Sequence, residues 1–139
     1  MSIRPATPDD DAALFALVSA FPTPTPCTSD AYRSMLAAKR ADPRSAVLVA
    51  AEAERLIGYV SGSARLAFYA GGPTAWVDEI YVIPERRASG VGTLLMAAFE
   101  RWAVGQQCRG VALATRGAVG FYERLGYEAR ASYFKKAIG

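Results

Sequence analysis

Two hydrophobic periods alternate along this chain, and their order lays out its architecture. Residues 76–83 are rich in aromatic and β-branched positions, the pattern of a buried strand. Pro84 cannot donate to a sheet ladder and should end that strand. From Val91 onward, Leu94, Leu95, Ala98, Phe99 and Trp102 recur at helical spacing on one stripe. Upstream, residues 2–6 read as a short opening strand. Thr7-Pro8-Asp9-Asp10 is then a helix start, with Thr7 as N-cap, Pro8 at the first helical position and acids in the first turn. Leu14, Leu17, Val18 and Phe21 supply its inward stripe. Pro22-Thr23-Pro24-Thr25-Pro26 cannot continue a helix and predicts an extended loop.

Thr28 or Ser29 should cap a second helix, with Tyr32, Met35 and Leu36 inward and an end before Asp42-Pro43. Residues 46–51 form a continuous apolar run suited to a central strand. Residues 56–68 give a longer strand, in which Gly58 and Gly62 predict a bulge or close packing. Gly71-Gly72-Pro73 turns the chain into the strand at Trp76. Past the second amphipathic stripe, residues 110–115 predict a fifth strand, and a short helix follows over residues 118–125, closed by Gly126. Residues 127–137 complete the pattern as a last strand. The order β-α-α-β-β-β-α-β-α-β predicts an α/β fold of the α+β kind. It is a single domain over residues 1–139, with a central, mostly antiparallel mixed sheet and helices on both faces.

Composition narrows the function more by what it lacks than by what it holds. No apolar run is long enough to span a bilayer, and the N-terminus carries no basic-then-apolar signal pattern. Cys27 and Cys108 have no metal-ligand or CxxC spacing, so two ordinary thiols and a cytoplasmic location are expected. A formal charge of +3 suits an anionic cofactor but is too small to argue for nucleic acid. The chain has no histidine. Histidine-dependent triads are therefore excluded, no metal is expected, and proton transfers fall to Asp, Glu, Tyr or water.

Between the strand at 76–83 and the stripe that follows sits Arg86-Arg87-Ala88-Ser89-Gly90-Val91-Gly92. A helix start leaves backbone N–H groups without partners, its dipole favours anions, and glycines there let a ligand approach the main chain. The stretch therefore suits a pyrophosphate. A dinucleotide fingerprint would need a third glycine and a later acid, and a P-loop needs its Lys-Ser/Thr pair; neither is present. The stretch resembles the coenzyme A loop of the Gcn5-related N-acetyltransferase (GNAT) family, whose pattern is Arg/Gln-x-x-Gly-x-Gly/Ala. Arg87-Ala88-Ser89-Gly90-Val91-Gly92 matches it, after a strand ending Ile80-Tyr81-Val82. A second block, Ala118-Val119-Gly120-Phe121-Tyr122-Glu123-Arg124-Leu125-Gly126-Tyr127, resembles the same family's Ala-x-x-Phe-Tyr-x-x-x-Gly-Phe/Tyr. Many relatives carry Asn three residues before that Ala; this chain has Thr115, a weaker substitute toward the pantetheine.

The resemblance implies a GNAT acyl-CoA N-acyltransferase fold and direct acetyl transfer from acetyl coenzyme A to an amine, without an acyl-enzyme. It further implies that main-chain groups of Ile80, Tyr81 and Val82 hold pantetheine where this strand splays from its parallel neighbour. Residues Arg87 to Thr93 would carry the pyrophosphate, with Arg87 as added charge. Thr115 and Phe121 would border the cofactor, and Tyr122 would protonate the departing thiolate. A plain core role for Tyr122 beside Phe121 is the alternative.

Asp78 and Glu79 are the candidates for deprotonating the amine, with Asp78 the first choice from its alignment with the family's first acid. In a regular strand only one of two adjacent acids can face the acceptor, and a bulge would change that count. Both could equally be structural. The Pro-Thr loop reads as a connector or as a wall of the acceptor pocket. The expected partner is an amine-bearing small molecule, with no nucleic acid or membrane, and a homodimer is open because such enzymes often form one. Two alternatives stand beside this reading: a non-catalytic acyl-CoA-binding module, and acetylation of a protein or aminoacyl-tRNA amine.

Overall fold

A computed structural model describes the whole chain from Met1 to Gly139. Five strands form one sheet in chain order: β1 (Ser2–Pro5), β2 (Ser45–Glu52), β3 (Arg55–Ala67), β4 (Gly72–Val82) and β5 (Val111–Ala112). The first four pair antiparallel, and β5 runs parallel to β4. Four helices complete the fold: α1 (Asp11–Ala20), α2 (Ser29–Ala41), α3 (Val91–Gly105) and α4 (Val119–Arg124). None is long and apolar enough to cross a membrane.

The core lies between β2, β3, β4 and the helices. Phe99, Leu95 and Met96 of α3 are fully buried, as are Val49, Val60, Tyr59 and Ile57 of the sheet. Gly62 fixes how closely α3 approaches. A Cβ there would overlap the Trp76 carbonyl oxygen and come within 2.7 Å of the Phe99 ring, so only glycine fits. The close packing expected of this glycine is present. A bulge lies opposite it: β3 pairs Ser61 with Glu79 but Gly62 with Val77, which leaves Asp78 as the extra residue of β4.

Several expectations are corrected. The stretch 127–137 forms no strand, and its first residue instead ties back to α4 through Tyr127 N–H to the Tyr122 carbonyl (3.0 Å). Between Tyr127 and Tyr133 the same strand face would offer only Ala129 and Ala131, too little apolar area to hold an edge; Tyr133, Phe134 and Ile138 are exposed. The fifth strand is two residues long rather than spanning 110–115, because β4 and the chain after Ala112 diverge. Met35 and Leu94, read as inward, are about half exposed; Val91, Met96 and Ala103 fill the inner face of α3 instead. The first helix opens with a 3-10 turn, Pro8–Asp10, before α1.

That turn carries an ion pair whose carboxylate is buried and whose guanidinium is half-exposed. The Arg4 guanidinium grips both carboxylate oxygens of Asp10 (2.7 and 2.9 Å), and Thr7 N–H donates to the same carboxylate (2.8 Å). Hydrogen bonding from Arg4 lowers the Asp10 pKa to about 2 against the opposing effect of burial. A depressed carboxyl stabilises the fold above its unfolded pKa, and the contribution is lost as pH falls through the folded value. Because solvent screens the half-exposed guanidinium, the contribution at neutral pH is below the ~2 kcal/mol that the full shift would give, and it is removed between roughly pH 4 and pH 2. Asp10→Asn should lower the melting temperature by several degrees at pH 7 and by much less near pH 2, read by calorimetry across that range.

Candidate active site

Only Ala75–Val111 and Trp76–Ala112 pair between β4 and β5; beyond them the strands part. The gap opens into a cleft of about 1320 Å³. Ile80 and Val82 line one side of it, Leu113, Ala114 and Thr115 the other, and Phe121 and Tyr122 of α4 also line it. The structure thus brings the two sequence blocks to one cavity. Asp78, Glu79, Arg87, Ala88, Gly90, Gly92 and Thr93 line it as well. Of the residues expected there, Tyr81, Ser89 and Val91 do not. Tyr81 packs toward Tyr59 (6.4 Å between rings) and under Arg87, Val91 is buried in the core, and the Ser89 hydroxyl donates to the Arg86 carbonyl. For Ile80, Tyr81 and Val82 the expected contact is main-chain, so the direction of the Tyr81 ring does not bear on it.

The bulge resolves the count of acids. Asp78 reaches Lys39 of α2 (3.7 Å), while Glu79 accepts from the Tyr59 hydroxyl (2.6 Å) on the sheet face opposite α3. Both acids therefore turn toward the side covered by α1 and α2. Phe21 and Pro22, where α1 leaves for the Pro-Thr loop, line the cleft, so the start of that loop is a wall and not merely a connector.

The loop before α3 is shaped by two left-handed residues, Ala88 (φ 62°) and Gly90 (φ 92°). Such turns direct backbone N–H groups into a concave anion-binding nest, and the first N–H groups of α3 adjoin it. The loop is moored on its outer side. Arg86 pairs with Glu52, Arg55 pairs with Glu85 (2.9 Å), and Arg87 Nε donates to the Val82 carbonyl (2.9 Å). Such exposed pairs contribute little stability each, but together they fix where the loop sits. Arg87 is thereby a local charge rather than a free arm.

Tyr122 is 8% exposed and held edge-on by Phe121 (4.9 Å) and Tyr127 (5.8 Å). Tyr127 is itself fixed by its hydroxyl bond to Glu100 (2.6 Å). Burial raises the pKa of the Tyr122 phenol. Its hydroxyl makes no hydrogen bond within the chain, and it borders the cleft. Thr115 is already engaged: its Oγ1 accepts from Ala118 N–H (3.2 Å) at the start of α4.

Sequence reasoning missed the cationic and aromatic rim of the cleft. Arg116, Arg124 and Lys135 line it beside Arg86 and Arg87, and Trp76 and Tyr133 stack on one another (6.3 Å, 19°) at its wall. Arg116 and Arg124 adjoin the second sequence block and could have been flagged. Tyr133 and Lys135 could not, because their segment read as a strand.

The splayed parallel pair thus opens a cleft beside a helix start of the kind that favours anions. Residues 13–127 match the Acetyltransferase (GNAT) family, and the chain belongs to it. It is 31% identical over 102 residues to an aminoglycoside N(6')-acetyltransferase type 1 of Acinetobacter genomosp. 13, covering 67% of this chain and 70% of that one. Its fold is shared by the aminoglycoside 6'-N-acetyltransferase AAC(6')-IG of Acinetobacter haemolyticus (TM-score 0.81, 23% identity, all of both chains). AAC(6')-Iy, solved with a bisubstrate analogue of coenzyme A and acetylneamine, is similar to the same degree (TM-score 0.81, 23% identity, 99% and 98% covered). The chain is an acetyl coenzyme A-dependent N-acetyltransferase, and the purely binding module is not favoured.

Proposed function

We propose that this enzyme acetylates a primary amine of a small molecule in the cytoplasm, using Glu79 or Asp78, Tyr122 and the nest at residues 87–93. The observation that carries the reading is the splayed β4–β5 pair, with Ala88, Gly90 and Gly92 of the loop and Tyr122 of α4 all lining its gap. Pantetheine would lie along the main chain of Ile80 to Val82, and the pyrophosphate over Gly90 to Thr93. The ammonium of the acceptor would give one proton to a carboxylate at the bulge, directly or through water. The free amine then attacks the thioester carbon, the C–N bond forms, and the nitrogen loses its second proton to solvent. The C–S bond breaks, and the thiolate takes the Tyr122 proton, which solvent restores. Arg86, Arg87, Arg116, Arg124 and Lys135 outnumber the two acids of the cleft, which suits an anionic cofactor.

The Acinetobacter relative is an aminoglycoside N(6')-acetyltransferase, and that class heads the acceptors to be tried. Thiol release from acetyl coenzyme A should be measured with neamine, spermidine and tyramine in turn. Amine-dependent release with at least one is expected. Tight coenzyme A binding without release on any amine would make the chain a binding module.

A further inference from the structure

The two acids at the bulge have unequal partners. Asp78 and Lys39 lie 3.7 Å apart, with 41% and 31% of their side chains exposed, a loose pair that solvent screens. Glu79 has a neutral partner of another kind. Tyr59 is 1% exposed, its backbone is paired on both sides (to Val49 and Tyr81), and its hydroxyl donates to Glu79 Oε1 at 2.6 Å. Hydroxyl bonds to a carboxylate at this length are among the strong ones. Ser61 is the cross-strand partner of Glu79, so the phenol reaches it diagonally along one face. Glu79 Oε2 carries no hydrogen bond, and the residue lines the cleft.

We propose that Tyr59 is the positioning residue of the acceptor site, occupying Oε1 of Glu79 so that Oε2 alone is presented to the amine. Tyr59 does not take the proton. Burial foremost, then Glu79 itself, pushes its phenol far above the ordinary value. It remains a donor throughout the cycle, and without it the Glu79 carboxylate would have no hydrogen bond to the chain. Lys39 of α2 pairs with the neighbouring Asp78, and Tyr81 of β4 and Cys27 of the loop before α2 lie near Tyr59. The inference rests on the reading above, with Glu79 rather than Asp78 as the bulge carboxylate that accepts the amine proton.

Tyr59→Phe keeps the ring and deletes the donor. It should lower kcat/KM for neamine roughly tenfold while leaving acetyl coenzyme A affinity unchanged, because a carboxylate free to turn presents Oε2 to the amine less of the time. Glu79→Gln should cost roughly 10²-fold, and the double variant no more than Glu79→Gln alone. The carboxyl ¹³C chemical shift of Glu79 at pH 7, read by NMR, should move in Tyr59→Phe as the hydroxyl bond is lost, whether or not neamine is the natural acceptor. An unmoved carboxyl signal with an intact fold overturns the assignment of Tyr59. So does a double variant whose losses multiply, since Tyr59 would then act through packing alone. If the signal moves but Glu79→Gln keeps full activity on an amine that is turned over, the bond is present and the reading of Glu79 as base fails instead.

Discussion

Tyr122→Phe should lower turnover roughly 10²-fold while leaving acetyl coenzyme A affinity nearly unchanged. Coenzyme A departs as a thiolate, and thiols titrate near ~8.5, so a proton delivered at that moment lowers the barrier. Two features suit the Tyr122 hydroxyl to the proposed delivery. Burial pushes its pKa up, so the phenol stays protonated across the neutral and mildly alkaline range. It spends no hydrogen bond on the chain, and its ring is fixed by Phe121 and Tyr127. Deleting the oxygen leaves those ring contacts in place, so the melting temperature should hardly move. A core role would leave turnover intact, and full activity in single-turnover experiments, where chemistry is isolated, would refute the acid role. Because the folded phenol titrates above its ordinary value, the rate should not fall at alkaline pH until well past the thiol's own range.

The features legible in the sequence are those set by local period and local turn chemistry. The aromatic run ending at Val82, the stripe through Leu95 and Phe99, and the glycine loop between them are properties of consecutive residues, and each is an element of the fold. Gly62 gave notice of close packing, yet nothing local said that the unpaired residue would be Asp78 on the facing strand. That depends on register across the sheet, as does the meeting of Tyr59 with Glu79, 20 residues away. The tail failed for a related reason. Its alternation favours a strand, but a strand needs a partner and apolar area to bury, and alanines supply little. Met35 and Leu94 were misread because a helix stripe does not reveal which of its edges the sheet will cover.

The second large effect lies in the loop. Gly90→Val should weaken acetyl coenzyme A binding by roughly 10²-fold or more, about 3 kcal/mol. Gly90 sits at φ 92°, where a β-branched residue is strained, and a Cβ there meets no protein atom within 4 Å. The added side chain would therefore stand in open space beside the loop, where the proposed site would receive the pyrophosphate, while strain would disturb the turn that aims the N–H groups. Both effects act on the ligand and neither touches the core. Gly71 provides the matched control. It has φ 69°, equally open surroundings, and a place at the β3–β4 hairpin tip away from the cleft. Gly71→Val should cost comparable stability and leave affinity alone, so backbone strain and site occlusion can be told apart by calorimetry on the two variants. Gly92→Val should also bind poorly but is less clean, because its Cβ comes within 3.3 Å of the Phe121 ring and would shift that side chain as well. A folded Gly90→Val with unaltered coenzyme A affinity would remove the nest from the site and send the pyrophosphate elsewhere along the cationic rim.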